Sequence, residues 1–289
     1  MISEIKSGGE RGVINVWRPA DLHQLELHRG IFVARPVPRH WHEQFQLCLI
    51  EAGSGDVTYR GDSYVTPPAS LFIVHPGEIH SNRCFLASGC SYRTLFIEPE
   101  VMRRVAAEVF GRDRGVPFFP EAVVFDRDVL ELYLQLHVAL ETPASTLERE
   151  TLLDTFSTRL IAQFSERHAS FDSLNRKPTS VKRACDYLIE HYGENVFLGE
   201  LARLVGLSPF HFSRVFSEQI GMPPHAFQTQ VRVARARTLL LEGLSISEVA
   251  ARTGFADQSH LTRHFKRLVG TTPGRYQQNS KNVQDSRNS

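Results

Sequence analysis

A sequence pattern occurs twice in the last third of this 289-residue chain. The first copy, GELARLVGLSPFHFSRVFSEQIGMPPHAF, covers residues 199–227, and the second lies within ISEVAARTGFADQSHLTRHFKRLVGTTPGRY, residues 246–276. The matching pairs are Glu200 with Glu248, Ala202 with Ala250, Gly206 with Gly254 and, after a one-residue difference in the turn, Arg214 with Arg263, Phe216 with Phe265, Gly221 with Gly270, Pro224 with Pro273 and Phe227 with Tyr276. Such an internal repeat indicates one structural unit that is used twice.

Each copy has the layout of a short helix, a glycine-centred turn and a second helix. In the second copy, Leu261, Phe265 and Leu268 fall on one side of a helix with 3.6 residues per turn, and polar residues fall on the other. Ser245 with Glu248 forms a capping box before the first helix. Asp257 in the second copy, and Ser208 before a proline in the first, occupy N-cap positions of the second helices. The pattern predicts two helix-turn-helix motifs that read duplex DNA.

The exposed faces of the second helices supply the candidate DNA contacts. They are Ser208, Phe210, Ser213 and Arg214 in the first motif, and Gln258, Ser259, Thr262, Arg263 and Lys266 in the second. Each arginine either donates two hydrogen bonds to a guanine or binds a phosphate, and the sequence leaves both open. Phe210 replaces a polar residue and suits a thymine methyl group, which leaves open how much sequence the first motif reads. The alternative for each polar residue is a solvated helix face.

The second copy resembles the C-terminal signature of the AraC/XylS family of bacterial transcription regulators. The resemblance rests on Ala250, on Gly254 followed by Phe255, on Phe265 followed by Lys266, and on the Gly-x-Thr-Pro run that begins at Gly270. It implies two reading heads about 34 Å apart, joined by the helical run HAFQTQVRVARARTLLLEG. It further implies double-stranded DNA, a small-molecule effector and a second copy of the chain as partners, with RNA polymerase as a further one.

Composition and charge agree with a soluble two-domain protein. The chain is 42% hydrophobic and 22% charged, and residues 178–278 carry a net charge of +4 against −4 for residues 1–177. The positive half therefore coincides with the repeat, as phosphate neutralisation requires. No apolar run approaches the length of a membrane span and the N-terminus lacks the apolar core of a signal peptide, which predicts a cytoplasmic protein without membrane contact. The four cysteines show no paired spacing, so reduced thiols are expected.

The N-terminal part consists of short apolar runs separated by turn residues. FQLCLI, VTYRGDSYV, SLFIV and YRTLFIE are predicted strands, and their even spacing predicts a small barrel or sandwich. HWHEQFQLCLIEAGSG, followed by HPGEIHSN, resembles the cupin-type sensor barrel of AraC-type regulators. The predicted fold is a cupin-like β-barrel with an appended helical hairpin, followed by an all-α domain with two helix-turn-helix motifs. The domain boundaries are 1–170 for sensing and dimerisation, 171–179 for a linker, 180–278 for DNA binding and 279–289 for a polar tail.

Helices are expected after the barrel. One covers residues 100–110 and ends at Gly111; another runs from Asp128 to Glu141 with a capping pair of Asp128 and Glu131. A third begins at Ser145, which pairs with Glu148 as a cap, and it carries an apolar stripe of Leu153, Phe156, Leu160 and Phe164. The last two form a predicted antiparallel hairpin. The family uses such helices to dimerise, and the alternative is that the stripe packs only on its own barrel.

Four polar side chains are the candidate sensor site: His40, His42, Gln46 and His80. Strand alternation would place the first three on one side of their segment, and the HPGEIH turn would bring His80 across from them. Cupin enzymes hold a metal with such histidines, but a neutral amide at Gln46 stands where a metal-binding cupin has an acidic residue. We therefore expect an organic effector and neither metal nor cofactor. Structural hydrogen bonding of the histidines is the alternative.

The sequence contains no convincing nucleophilic motif, phosphate loop or carboxylate pair, so no catalytic residue is assigned and no enzymatic activity is expected. The favoured function is a sequence-specific DNA-binding regulator that responds to a small molecule. One rival is a metal-dependent cupin enzyme fused to a DNA-binding module. Another is a ligand-independent DNA-binding protein whose barrel serves only for dimerisation.

Overall fold

The computed structural model describes residues 14–32, 36–85, 89–166 and 179–278. The strands within these residues are β1 (Ile14–Trp17), β2 (Leu25–Phe32), β3 (Val37–His40), β4 (Phe45–Ala52), β5 (Gly55–Tyr59), β6 (Asp62–Thr66), β7 (Leu71–Val74), β8 (His80–Cys84), β9 (Cys90–Ile97) and β10 (Val123–Val124). The helices are α1 (Pro99–Phe110), α2 (Arg127–Glu141), α3 (Thr146–Phe164), α4 (Thr179–Glu190), α5 (Leu198–Leu204), α6 (Pro209–Ile220), α7 (Pro224–Leu241), α8 (Ile246–Arg252) and α9 (Gln258–Val269). Residues 273–278 are also helical.

The strands form two antiparallel sheets, as the predicted barrel requires. One sheet has the order β1-β2-β9-β4-β7-β10 and the other has the order β3-β8-β5-β6. The run VTYRGDSYV, predicted as one strand, is instead the hairpin β5-β6. Arg60 and Gly61 both have positive φ angles, 55° and 92°, and such a pair reverses the chain in two residues with a twist that suits adjacent strands.

The larger sheet is buried on both faces, which explains the unbroken apolar run of β4. Phe45, Leu47 and Leu49 point to the side covered by α1, α2 and α3, where they join the largest core of the protein. Cys48 and Ile50 point to the opposite side and pack with residues of the smaller sheet. Because alternate residues of a strand face opposite sides, the even-numbered residues of β4 lie on the inner face of the barrel.

The helical hairpin is present and antiparallel, since Arg159 pairs with Asp128 at 3.0 Å and Arg149 Nε donates to the Ala139 carbonyl at 3.0 Å. Ser145 caps α3 as predicted. The predicted cap of α2 is wrong: the Asp126 side chain accepts from the Val129 amide, so the helix begins before Asp128, which lies in its first turn. The apolar stripe of α3 faces the chain's own core: Leu153, Phe156 and Leu160 are buried and Phe164 packs against them.

The C-terminal domain consists of two helical subdomains that share α7. The first core contains residues of α4, α5 and α6 with the first half of α7, as far as Val231. The second contains α8, α9 and Tyr276 with the second half of α7, from Val233 onward. Thr179, predicted as the end of the linker, begins α4. The rest of that linker and the polar tail lie outside the described residues.

The expectation of four reduced thiols is wrong for one pair. Cys84, at the end of β8, and Cys90, at the start of β9, form a disulfide with a Cα–Cα distance of 6.0 Å. The spacing of these cysteines along the chain gave no sign of it, because their proximity depends on the two sheets meeting at this edge of the barrel. Cys48 and Cys185 are buried and take no part in this disulfide. Among the described helices, none is long and apolar enough to cross a membrane.

Candidate functional site

The second helix of the first motif, α6, presents a mixed face to solvent. Ser208 caps this helix by accepting from the His211 amide, as predicted. Phe212 and Phe216 are buried and hold α6 to its subdomain. On the outer side, Phe210 is 81% exposed and Arg214 is exposed, with Nε 3.8 Å from Glu218; Ser213 is half-buried. The helix therefore offers one aromatic ring and one guanidinium to a partner.

The second helix of the second motif, α9, presents a polar face. Asp257 caps this helix and Ser245 caps α8, both as predicted. Leu261 and Phe265 are fully buried beneath α9. Gln258, Ser259 and Arg263 are exposed, and Thr262 and Lys266 are half-buried at the edge of the same face. The predicted DNA contacts of this motif thus share one accessible surface.

The turns of the two motifs contain the two predicted glycines, both with a φ of 72°. At Gly206 a side chain would find open space, so only the left-handed backbone conformation favours glycine. At Gly254 a Cβ atom would also lie 2.5 Å from the carbonyl oxygen of Gly193. The turn of the second motif therefore packs directly against the first subdomain.

The four candidate sensor residues converge on the side chain of Gln46. Its Oε1 lies 2.8 Å from His42 Nε2 and 3.1 Å from His80 Nε2, and the His40 and His80 rings are 4.1 Å apart. Strand alternation is not the reason, because His40 ends β3 and His42 lies between strands. Pairing of β3 with β8 sets His40 opposite His80, and the connection to β4 turns His42 toward Gln46.

The histidines of this cluster are neutral at physiological pH. Burial lowers the pKa of His42 to about 3, helped by the neighbouring His40, and burial lowers the pKa of His80 well below its usual value. His42 Nδ1 lies 2.7 Å from the Gln44 carbonyl oxygen and therefore donates its proton there. Nε2 of that neutral ring is then an acceptor and cannot donate to Gln46 Oε1, so a hydrogen bond here requires the Gln46 amide to be turned over, with its NH2 toward His42. Among the described residues, no group of three or more acidic, histidine or cysteine side chains is arranged to hold a metal ion.

A cavity of about 200 Å³ lies beside this cluster, between the barrel and the DNA-binding domain. Barrel residues on its wall include His28, His40, His42, Gln46, Thr94 and Phe96, and the DNA-binding domain contributes Val233, Arg237, Arg267, Leu268 and others. His80 lines a smaller cavity of about 30 Å³ inside the barrel instead. Three of the four predicted sensor residues therefore border one cavity, and α9 of the second motif forms part of its wall.

A buried carboxylate joins the two domains at the edge of the larger cavity. Glu26 of β2, 2% exposed, accepts from Tyr276 Oη at 2.5 Å and from Arg237 of α7, and it is also bonded to Arg18 and His28 of the barrel. Burial alone would raise the pKa of Glu26, but Arg237, His28 and Arg18 hold it well below its usual value. A charged network thus links the sensor barrel to the second subdomain.

A second contact joins the barrel to the first subdomain. The ring of Trp41, which lies between His40 and His42 in the chain, stacks on Phe227 with centroids 5.2 Å apart. The Trp41 amide donates to Gln230 Oε1 at 3.0 Å, and Gln230 Nε2 donates to the Arg39 carbonyl at 2.9 Å. Residues on either side of Trp41 face the cavity, so the segment touches both the cavity and the DNA-binding domain.

Sequence reasoning missed the residues of these junctions. Glu26, Arg237 and Tyr276 lie far apart in the chain, and each is unremarkable where it stands. One signal was available for Glu26: a carboxylate and His28 occupy alternate positions of a strand whose other face is Leu25 and Leu27. A polar pair on the inner face of a barrel strand indicates a buried partner.

Known families match both halves of the chain. A family described as the AraC-like ligand binding domain matches residues 23–156, and a helix-turn-helix domain family matches residues 201–279. An HTH-type transcriptional regulator of Bacillus subtilis, YbfI, is 31% identical over 82% of this chain and 86% of its own length. The chain belongs to the AraC family. It is a DNA-binding transcription regulator with an N-terminal domain that senses a small molecule.

More distant proteins agree with this membership. The arabinose operon regulatory protein of Escherichia coli is 26% identical over 85% of this chain and 83% of its own length. Solved structures of ToxT from Vibrio cholerae share the two-domain fold. The apo form of a ToxT variant has a TM-score of 0.58, with 11% identity over 94% of this chain and 98% of its own. ToxT bound to an unsaturated fatty acid has a TM-score of 0.56, with 12% identity over 94% of this chain and 97% of its own.

Proposed function

We propose that this AraC-family regulator reads DNA with the outer faces of α6 and α9. The supporting observation is that the two helices expose equivalent arginines, Arg214 and Arg263, while the equivalent phenylalanines Phe216 and Phe265 are buried beneath them. An exposed guanidinium on a rigid helix suits either a guanine edge or a phosphate. Gln258 pairs with adenine, Thr262 and Phe210 contact thymine methyl groups, and Ser208, Ser213, Ser259 and Lys266 bind the backbone in this proposal.

Gel-shift titrations test this assignment. Arg214→Ala and Arg263→Ala should each weaken binding by about 1 to 3 kcal/mol on a site that the wild-type chain selects from random duplex DNA. Arg252→Ala is the matched control, because Arg252 is exposed on α8, outside both reading helices, and pairs only with Glu248 in the described part of the chain. Unchanged affinity in both reading-helix variants, or equal losses in all three, would remove the proposed contacts.

We propose that the effector binds in the cavity between the barrel and the DNA-binding domain and contacts His40, His42 and Gln46. His80 contacts Gln46 from the side away from this cavity and positions it. Among the described residues on the cavity wall, three carry a guanidinium, Arg18, Arg237 and Arg267, and one carries a carboxylate, Glu43. Glu26, which is buried beside Arg18 and Arg237, carries one negative charge and so compensates only one of the three guanidinium charges. An effector with an anionic group and an apolar body suits such a wall. The fatty acid in the ToxT structure has this chemistry.

Fluorescence in a Trp17→Phe background tests the cavity, because Trp41 on its wall is then the only tryptophan. Sodium octanoate should change the Trp41 emission in a saturable way, and octanol, which lacks the charge, should bind at least about tenfold more weakly. Arg267→Gln should remove this preference, and His42→Ala should weaken both compounds. His23→Ala, an exposed barrel histidine, serves as the control. Equal binding of both compounds would contradict the anionic group; no effect of His42→Ala would move the site elsewhere.

We propose that the chain is a cytoplasmic homodimer without enzymatic activity, with RNA polymerase as a further partner at promoters. The inner faces of α2 and α3 pack on their own barrel, whereas Leu134 and Val138 on the outer face of α2 are 37% and 45% exposed. They lie four residues apart and so form one patch.

Analytical ultracentrifugation tests the dimer. The wild-type chain should sediment as a dimer, and the double variant Leu134→Glu, Val138→Glu should sediment as a monomer. Leu147→Glu on α3 is the control, and a wild-type monomer would contradict the dimer.

A further inference from the structure

The two helix-turn-helix subdomains are connected by the single helix α7, and their hydrophobic cores meet at its middle without sharing a residue. Val231 of α7 is buried in the first core and Val233 in the second. Arg232 lies between them. One continuous helix fixes the distance between its ends, but it leaves the subdomains free to bend and twist about its axis unless a second contact braces them.

Arg232 makes such a contact with three backbone carbonyls. Nε donates to Tyr192 at 2.7 Å and Nη2 donates to Glu194 at 2.9 Å, both in the segment after α4 in the first subdomain. Nη1 donates to Gly254 at 2.7 Å, in the turn of the second motif. The guanidinium is planar and its donors are fixed relative to one another, so three bonds in different directions define an orientation as well as a distance.

Backbone packing at the same point adds to the brace. The ideal Cβ position of Gly254 lies 2.9 Å from the carbonyl carbon of Gly193 and 3.0 Å from Arg232 Cζ. The ideal Cβ position of Gly193 lies 3.1 Å from the Arg252 carbonyl oxygen. Two glycines therefore let the main chains of the two subdomains approach each other directly. Gln228 holds the segment around Gly193 in place by donating to the Glu194 carbonyl at 3.0 Å.

We infer that Arg232 is a positioning residue for DNA reading, which sets the angle between α6 and α9 so that both enter the major groove of one duplex. The inference rests on the proposed function, because it requires that both helices read DNA together. Arg232 itself needs no contact with DNA in this role. Its effect is on which spacing between the two half-sites the protein accepts.

DNA sites with altered spacing test this role. A site selected by the wild-type chain is lengthened or shortened by one base pair between its half-sites, which rotates one half-site by about 34° relative to the other. The wild-type chain should lose affinity on the altered sites. In Arg232→Met this loss should shrink by about tenfold, because a hinge at α7 lets the second head follow the displaced half-site. Arg232→Lys, which keeps the charge but not the fork, should lie between them.

Arg203→Met is the matched control, since Arg203 on α5 also donates to a backbone carbonyl, that of Gly199 at 3.3 Å, but within its own helix. It should retain the wild-type ratio between normal and altered sites. A purely structural role of Arg232 would lower affinity for all sites equally, and an unchanged ratio in Arg232→Met would overturn the inference. A wild-type chain without any spacing preference would instead overturn the proposed pair of reading heads.

The junction can also be measured with Arg232 unaltered, in case the Arg232 variants fail to fold. Spin labels at Gln219→Cys on α6 and Arg252→Cys on α8 report the distance between the subdomains, and both positions are exposed. With Arg232 present, electron–electron resonance should give one narrow distance distribution in the DNA-free protein. A broad or two-peaked distribution would mean that the junction is not braced, and the inference would fail.

Discussion

The phenol of Tyr276 donates a hydrogen bond of 2.5 Å to the carboxylate of Glu26, although the two residues are separated by 250 positions in the chain. Tyr276 ends the second reading subdomain, and Glu26 lies in strand β2 of the sensor barrel. The same carboxylate receives Arg237 of α7, whose guanidinium also lines the cavity between the domains. A ligand that contacts Arg237 therefore acts on the residue that holds the reading subdomain to the barrel.

Glu26→Gln should uncouple the two domains. The amide leaves Arg237 and Arg18 without their counter-charge in a buried position, which costs about 3 to 5 kcal/mol. Denaturant unfolding followed by circular dichroism should change from one shared transition to two, with the DNA-binding domain unfolding first. Glu51→Gln is the control, because Glu51 pairs with Arg93 within the barrel. A single unshifted transition in Glu26→Gln would show that the network does not join the domains.

Two phenylalanines of α6 should affect different properties when they are truncated to alanine: one should affect stability and the other DNA binding. Phe216 is fully buried, so Phe216→Ala should lower the free energy of unfolding of the first subdomain by about 3 to 5 kcal/mol. Phe210 is mostly exposed, so Phe210→Ala should change stability by at most about 0.5 kcal/mol while it weakens DNA binding. Calorimetry and gel-shift titrations measure the two effects. Phe265→Ala on α9 should repeat the result of Phe216→Ala in the second subdomain, and a lower barrel stability in either variant would contradict the domain assignment.

Glu218 should oppose DNA binding by the first motif. It lies 3.8 Å from Arg214 on the exposed side of α6, where its charge repels phosphates and competes for the guanidinium. Glu218→Gln should therefore raise DNA affinity by about twofold to fivefold, most strongly at low salt. Glu131→Gln is the matched control, since Glu131 forms an equivalent exposed pair with Arg127 on α2 of the N-terminal domain. Lower affinity of Glu218→Gln would mean that this carboxylate holds Arg214 in its DNA-binding position.

The DNA-binding domain could be predicted from the sequence in some detail because its signals are local. Helix caps such as Ser208 and Asp257, and the glycines of the turns, act within a few residues of where they stand. The turn at Arg60 and Gly61 is also a local signal, but it was missed because the residues on both sides of it have the pattern of one continuous strand. The contacts of Glu26 with Tyr276 and of Arg232 with Gly254 could not be predicted, because they depend on how complete subdomains pack.

The convergence of the four candidate sensor residues was predicted in part and for an incomplete reason. Gln46 and the histidines do converge, but through pairing of β3 with β8 rather than through alternation along one strand. The place of the cavity depends on α7 and α9 covering the barrel, which no pattern in the barrel sequence indicates. The disulfide between Cys84 and Cys90 follows from the same kind of long-range geometry, since it needs two strand ends to meet.

The buried histidines should make the barrel sensitive to mild acid. The pKa of His42 is about 3 in the folded chain, where burial, the neighbouring His40 and the charge of Arg237 oppose protonation, and the pKa of His80 is also well below its usual value. The unfolded chain protonates these rings near pH 6.5, so it binds more protons than the folded chain below that pH. The stabilising effect of keeping them neutral is complete above pH 6.5 and is lost as the pH falls toward the folded pKa values.

Urea unfolding between pH 7.5 and pH 5 measures this effect. Each buried histidine should lower the free energy of unfolding by about 1.4 kcal/mol for each pH unit below 6.5. His42→Gln, which cannot titrate, should reduce this slope by about one histidine's share. His23→Gln removes an exposed histidine of the same domain and should leave the slope as it is in the wild type. If His42→Gln has the wild-type slope, His42 is protonated in the folded protein, and a charged ring rather than a neutral one faces the cavity between the domains.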